Sequence, residues 1–151
     1  MSDDPLLGAA YRLMLISERY AVCRLPALAE LPDWTHPENW ALPEDWAHPE
    51  DWAHPEYLLS ITWRAGETSL VCPERFVPPE VKAERGWRAL EVAGPLDFSL
   101  VGVLASLLEP LARAGVSVFA LSTFDTDVIL VQEGHLNRAL SALQKAGHQV
   151  D

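Results

Sequence analysis

The chain has 151 residues, 49% of them hydrophobic, enough for one ordinary packed domain or two very small ones, which excludes disorder throughout. Its 22 acidic and 11 basic residues give a formal charge of −11, the wrong sign for a surface that neutralises phosphates, so neither nucleic acid nor an anionic membrane is an expected partner. No apolar run reaches the roughly 20 residues of a spanning helix, and Met1-Ser2-Asp3-Asp4-Pro5 lacks the basic flank of a signal peptide, so a cytoplasmic protein is expected.

In chain order, Tyr11 to Ser17 and Tyr20 to Leu25 are short β-type runs that could pair through a turn at Glu18-Arg19. The segment from Pro32 to Glu56 follows, with seven acids and no lysine or arginine; without it, 15 acids face 11 bases and the charge is only −4. The same segment holds four of the six tryptophans, five of the twelve prolines and three of the five histidines, in a period of six. Its unit is Pro-Glu-Asp-Trp-Ala-His, with copies from Pro37, Pro43 and Pro49, a shortened relative at Pro32-Asp33-Trp34-Thr35-His36 and a fragment at Pro55-Glu56-Tyr57.

Six residues cannot bury an apolar face of their own, so the repeat is not a solenoid. Proline at each sixth position removes a donor and disfavours helical geometry at the residue before it, so no helix can run through. Each unit can make at most one turn, joined to the next by extended chain, with the Trp rings laid on the domain or offered to a partner. His36, His48 and His54 with nearby carboxylates are metal-ligating types, but their spacing follows from duplication and no metal is expected.

After the repeat, Tyr57 to Trp63 and Thr68 to Val71 predict a hairpin around Ala65-Gly66, and Trp87 to Val92 a further strand. Gly94-Pro95 punctuates; from Ser99 the spacing becomes helical, with Val103, Leu104, Leu107, Leu108 and Leu111 on one stripe and Gly115 as the stop. Pro110 lies in that stripe and should kink or shorten the helix. Val116 to Ser122 and Val128 to Gln132 are strands joined by Thr123 to Asp127, and Leu136, Ala139, Leu140 and Leu143 mark a last helix ending at Gly147.

The resulting β-α-β-β-α order predicts an α+β fold, an antiparallel sheet with both helices on one face. Both faces of Val116 to Leu121 are apolar, so the second face should be covered by the N-terminal half or another subunit. Cys23 and Cys72 sit in apolar stretches without a Cys-x-x-Cys pattern and are expected to be reduced core thiols. His135 and His148 are expected as solvated helix-end groups. No nucleophile elbow, phosphate loop or metal motif is present, so neither catalysis nor a cofactor is expected.

Gly94-Pro95-Leu96-Asp97-Phe98-Ser99-Leu100-Val101-Gly102-Val103-Leu104, followed by Ser122-Thr123-Phe124-Asp125-Thr126-Asp127 and Ile129-Leu130-Val131, resembles small two-domain ACT-like proteins. These are related to CASTOR-type arginine sensors and to aspartate kinase regulatory domains. The resemblance extends to Tyr20-Ala21-Val22-Cys23-Arg24-Leu25, Ser60-Ile61-Thr62, Val71-Cys72-Pro73 and Gly86-Trp87-Arg88, omitting the repeat. It implies two tandem ACT-like (ferredoxin-like) units: a degenerate N-terminal half over 10–85, interrupted by the repeat at 32–56, and an ACT domain over 86–151. It further implies a non-catalytic regulatory protein with a small-molecule effector, an amino acid, acting on a protein partner in trans, and it allows a homodimer. The family's loop has a single Pro-x-Trp where Pro32-Asp33-Trp34 stands; the three added copies are most simply a tandem duplication in a loop whose extra length costs little closure entropy.

An amino-acid effector needs donors for its carboxylate and an anionic or carbonyl partner for its ammonium. Ser99, Leu100, Val101, Gly102 and Val103 were suited to the first task as the opening of a helix, whose leading N–H groups are free and whose dipole favours an anion. Thr123, Phe124, Asp125, Thr126 and Asp127 suit the second, and the resemblance implies a ligand between the two segments. The alternative is that Asp97 or Ser99 caps the helix, Gly102 allows close packing, and Asp125 and Asp127 only form a turn. Leu100 stands where an acidic residue faces the ligand in the arginine sensors, so a smaller or less basic amino acid than arginine, or no ligand, is implied. A second functional alternative is a protein-interaction module whose working part is the acidic, Trp-rich repeat.

Overall fold

The computed structural model describes residues 9–27, 30–37, 40 and 58–151. The chain is α+β and divides into two compact units, one of Met1–Ile16 with Arg88–Asp151 and the other of Ser17–Trp87. The copies of the repeat that begin at Pro43 and Pro49 lie outside the described residues.

Strand β1 spans Arg12–Leu25 without a break, so the turn expected at Glu18-Arg19 does not form. That dipeptide offers none of the Gly, Asn or Pro chemistry a tight turn requires. The alternation of buried and exposed residues continues through it instead, with Ile16, Tyr20 and Cys23 inside and Ser17 and Arg19 outside. Glu18 pairs with Arg75 at 2.9 Å.

In the Ser17–Trp87 unit, β2 (Ser60–Arg64) and β3 (Glu67–Pro73) form the expected hairpin, from Ser60 opposite Val71 to Arg64 opposite Glu67. Gly66 closes it at φ 99°, a left-handed conformation that a side chain would strain. The later part of β1 pairs antiparallel with β3, from Tyr20 opposite Pro73 to Leu25 opposite Thr68. The core of this unit comprises Ala21, Cys23, Trp40, Leu70, Cys72 and Val77.

Both thiols are free and buried, as core thiols should be. A hydrogen bond from Cys72 stabilises the Cys23 thiolate form and lowers that thiol, while the same contact and burial raise Cys72. The described part of the repeat lies on this core. Asp33–Thr35 is a single 3-10 turn, Trp40 is buried, and its ring stacks on Phe76 with centroids 4.5 Å apart. The Trp40 indole N–H donates to the Trp34 carbonyl at 2.8 Å.

In the other unit, the strands are the opening of β1, the end of β4 (Ala83–Val92), β5 (Val118–Ser122), β6 (Asp127–Gln132) and β7 (Gln149–Val150). Strand order in it is β7-β1-β4-β6-β5, with β5 and β6 antiparallel. Helices α1 (Val103–Arg113) and α2 (Leu136–Lys145) share one core with these strands. Leu107, Leu111, Ala139 and Leu143 meet Leu13, Leu90, Ile129 and Val131, all fully buried. Each such leucine or isoleucine contributes about 1.5–3 kcal/mol by leaving water.

Strand β7 was not foreseen in the sequence. It runs parallel to the start of β1, Arg12 opposite Gln149 and Leu13 opposite Val150, which ties residues 12–16 to the C-terminal segment. Pro110 sits inside α1 without ending it, and the helix continues to Arg113. One further expectation is corrected in this unit. His148 is buried rather than solvated: its Nδ1 accepts the Tyr11 N–H at 3.0 Å and its Nε2 lies 3.0 Å from the Ser106 carbonyl.

Candidate functional site

Helix α1 begins later than the sequence pattern suggests. Asp97 Oδ1 accepts both the Ser99 N–H, at 2.8 Å, and the Ser99 hydroxyl, at 2.7 Å, and the Leu100 N–H closes a turn onto the Asp97 carbonyl at 3.0 Å. Asp97, Ser99, Leu100 and Val101 therefore belong to a turn before the helix, and neither Asp97 nor Ser99 caps it. Gly102 is the N-cap, at φ 83°, and without a side chain it gives the helix no side-chain cap. The first bond of the helix runs from the Ser106 N–H to the Gly102 carbonyl at 2.9 Å. The N–H groups of Val103, Leu104 and Ala105 consequently have no partner within α1.

Facing this start is the turn between β5 and β6. The Thr123 N–H donates to the Thr126 carbonyl at 2.8 Å, and the Thr126 N–H donates to the Thr123 hydroxyl at 3.2 Å. Thr126 is buried and its hydroxyl donates to the Val92 carbonyl, anchoring the turn to β4. The Leu96 N–H donates to the Asp125 carbonyl at 2.6 Å, which ties the turn to the segment leading into α1. Gly94 permits that approach, because a Cβ there would stand 3.0 Å from the Asp125 carbonyl oxygen.

Between the two segments lies a groove of about 430 Å³. Of the residues singled out in the sequence, it brings together Leu100, Gly102 and Val103 with Thr123, Phe124, Asp125, Thr126 and Asp127, while Ser99 and Val101 lie outside its lining. Sequence reasoning missed Leu96, Phe98, Leu104, Ala105 and Ser122 as lining residues, and named Asp97 only as a cap. Phe98 and Phe124 are 73% and 79% exposed and touch edge to face, ring centroids 4.9 Å apart. The available signal was an aromatic residue in each of two polar turns, where no packing period requires one.

The polar side of the groove is acidic. The two hydrogen bonds from Ser99 hold the Asp97 carboxyl below the usual carboxylate range, and Asp127 accepts the Ser122 hydroxyl. Among the described residues no group of three or more His, Cys, Asp or Glu side chains could hold a metal ion. His36 is one of the repeat histidines, while His48 and His54 lie outside the described residues. No helix among the described residues is long and apolar enough to cross a membrane.

Residues 82–145 match the ACT domain family. Over 60 residues the chain is 37% identical to the human and cattle proteins named cytosolic arginine sensor for mTORC1 subunit 1. That stretch is 39% of this chain and 18% of the sensor, so the chain spans only a small part of the relatives it matches. Among solved structures, a protein from Agrobacterium tumefaciens is 27% identical with a TM-score of 0.77, the alignment covering 95% of this chain and 93% of that one. The regulatory subunit of aspartate kinase from Thermus thermophilus, 11% identical, has the same fold at a TM-score of 0.53, over 89% of this chain and 96% of that one. The match to the ACT domain family takes in β4, both helices and the groove, so residues 82–145 form an ACT domain.

Proposed function

We propose that the protein is a non-catalytic regulatory module that binds an amino acid in the groove between the start of α1 and the Thr123–Asp127 turn, and acts on a protein partner in trans. The observation that carries this is a helix start capped by a glycine, its leading N–H groups free of side-chain caps, facing an acidic turn across a groove. An α-carboxylate suits the first and an α-ammonium the second. The arginine-sensing role in the name of the relatives and the regulatory role of the aspartate kinase subunit support the same class of function. In this proposal Ser17–Trp87 is a degenerate second ACT-like unit, and the protein works in the cytoplasm.

Thermal shifts with each of the twenty amino acids test the proposal. A ligand at a hundredfold excess over its Kd stabilises by about 2.7 kcal/mol, a shift of several degrees for a chain of this size. A flat response at millimolar concentrations of all twenty would refute it.

The second proposal, an interaction module built on the acidic Trp repeat, is favoured by the repeat's composition, since Trp is enriched where partners bind tightly. Deleting residues 43–54 spares Trp40 and separates the two. Loss of partner capture with unchanged ligand shifts supports the repeat, and the reverse supports the groove.

A further inference from the structure

We infer that the groove selects an amino acid with a large apolar or aromatic side chain over one with a small side chain, and that Phe98 and Phe124 set this specificity; the inference rests on the effector proposal above. Phe98 and Phe124 come from different turns, yet each is more than two-thirds exposed while their rings meet edge to face. Ring surface of this kind at the rim of a groove is what an apolar group from a ligand would cover. The wall between the rings and α1 continues it with Leu96, Leu100 and Leu104.

The polar groups are arranged to hold the ends of an amino acid, not the tip of its side chain. A carboxylate at the start of α1 and an ammonium at the β5–β6 turn leave the side chain to lie along the apolar wall. Asp97 accepts both hydrogen bonds from Ser99 on one oxygen and Asp127 accepts one from Ser122, so each carboxylate keeps acceptor capacity. Asp125 completes an acidic rim that can hold the α-ammonium.

Calorimetry on the full chain with phenylalanine, leucine and glycine decides the matter, repeated on Phe98→Ala and Phe124→Ala. Phenylalanine and leucine should bind at least about tenfold tighter than glycine, the scale on which apolar contacts discriminate. Each substitution should erase most of that preference. Both side chains are exposed, so the variants should fold, and circular dichroism checks that they do.

Glycine binding as tightly as phenylalanine, or apolar preference intact in both variants, would overturn the inference while leaving the effector proposal standing. No response to any amino acid would remove the effector proposal, and the specificity with it. Light scattering provides a separate control. A dimer that dissociates in Phe98→Ala would show that a second copy covers the ring pair, which also overturns the inference.

Discussion

His148 supplies to helix α1 the hydrogen bond that Pro110 cannot. Proline has no N–H, so the carbonyl four residues earlier, that of Ser106, loses its partner within the helix. The His148 Nε2 lies 3.0 Å from that carbonyl, in a buried position. Because Nδ1 accepts the Tyr11 N–H, the ring N–H that meets the Ser106 carbonyl is the one on Nε2. Pro110→Ala restores a competing donor, so the two positions should be coupled. His148→Ala alone should cost about 3 kcal/mol by orphaning two buried backbone groups. In the Pro110→Ala background it should cost about 1 kcal/mol less. Urea denaturation of the four proteins in the cycle measures this; strictly additive losses would refute the coupling.

Gly94→Ala probes the support of the groove. The added Cβ would meet the Asp125 carbonyl oxygen at 3.0 Å and the Leu96 nitrogen at 3.3 Å, both backbone atoms that cannot swing aside. The turn must shift, and stability should fall by about 1–3 kcal/mol. Amide exchange at Leu96, whose N–H donates to Asp125, should rise more than at Leu13 in the core. Unchanged protection at Leu96 would show that the contact is not a support.

Glu91 gives stability a pH dependence of defined sign. Burial pushes its carboxyl above the usual carboxylate range, so the folded state disfavours its charged form. Its contribution is therefore most favourable when protonated and is lost as pH rises through the raised folded value. Glu91→Gln should raise the melting temperature at neutral pH and leave it unchanged below about pH 4, where both carboxyl states are largely protonated. Equal gains at both pH values would point to packing instead of charge.

Trp40 should be a stabilising residue of the Ser17–Trp87 unit. It is 6% exposed, stacks on Phe76 and hydrogen-bonds Trp34, so Trp40→Ala removes a large buried ring. A loss of about 3 kcal/mol is expected in guanidinium denaturation. A loss under about 0.5 kcal/mol, as at an ordinary surface position, would contradict the burial.

The elements of the C-terminal unit were legible because long apolar stripes set α1, α2, β5 and β6, and their order follows from the periods alone. Three features were hidden for different reasons. The start of α1 depends on the backbone conformation of Gly102, which the helical spacing from Ser99 onwards conceals. The continuity of β1 through Glu18-Arg19 is a tertiary effect, since the strand lies between β3, paired from Tyr20 onward, and β4, and sheet context overrides a polar interruption. Strand β7 has two residues, too few for any period, and exists because β1 offers it an edge. Of the groove, the helix start and the turn could be picked out by residue type, whereas the contact between Phe98 and Phe124 joins two turns distant in sequence.

The bond from the Trp40 indole to the Trp34 carbonyl closes within a single six-residue step. The seat that holds the beginning of the repeat thus draws on Trp34 and Phe76, both outside the copies that begin at Pro43 and Pro49. Copy number beyond Trp40 becomes a quantity that replication slippage can alter without remaking the core. Natural variants carrying fewer or more Pro-Glu-Asp-Trp-Ala-His units would inherit the same anchor, leaving the length of the array open to drift or selection.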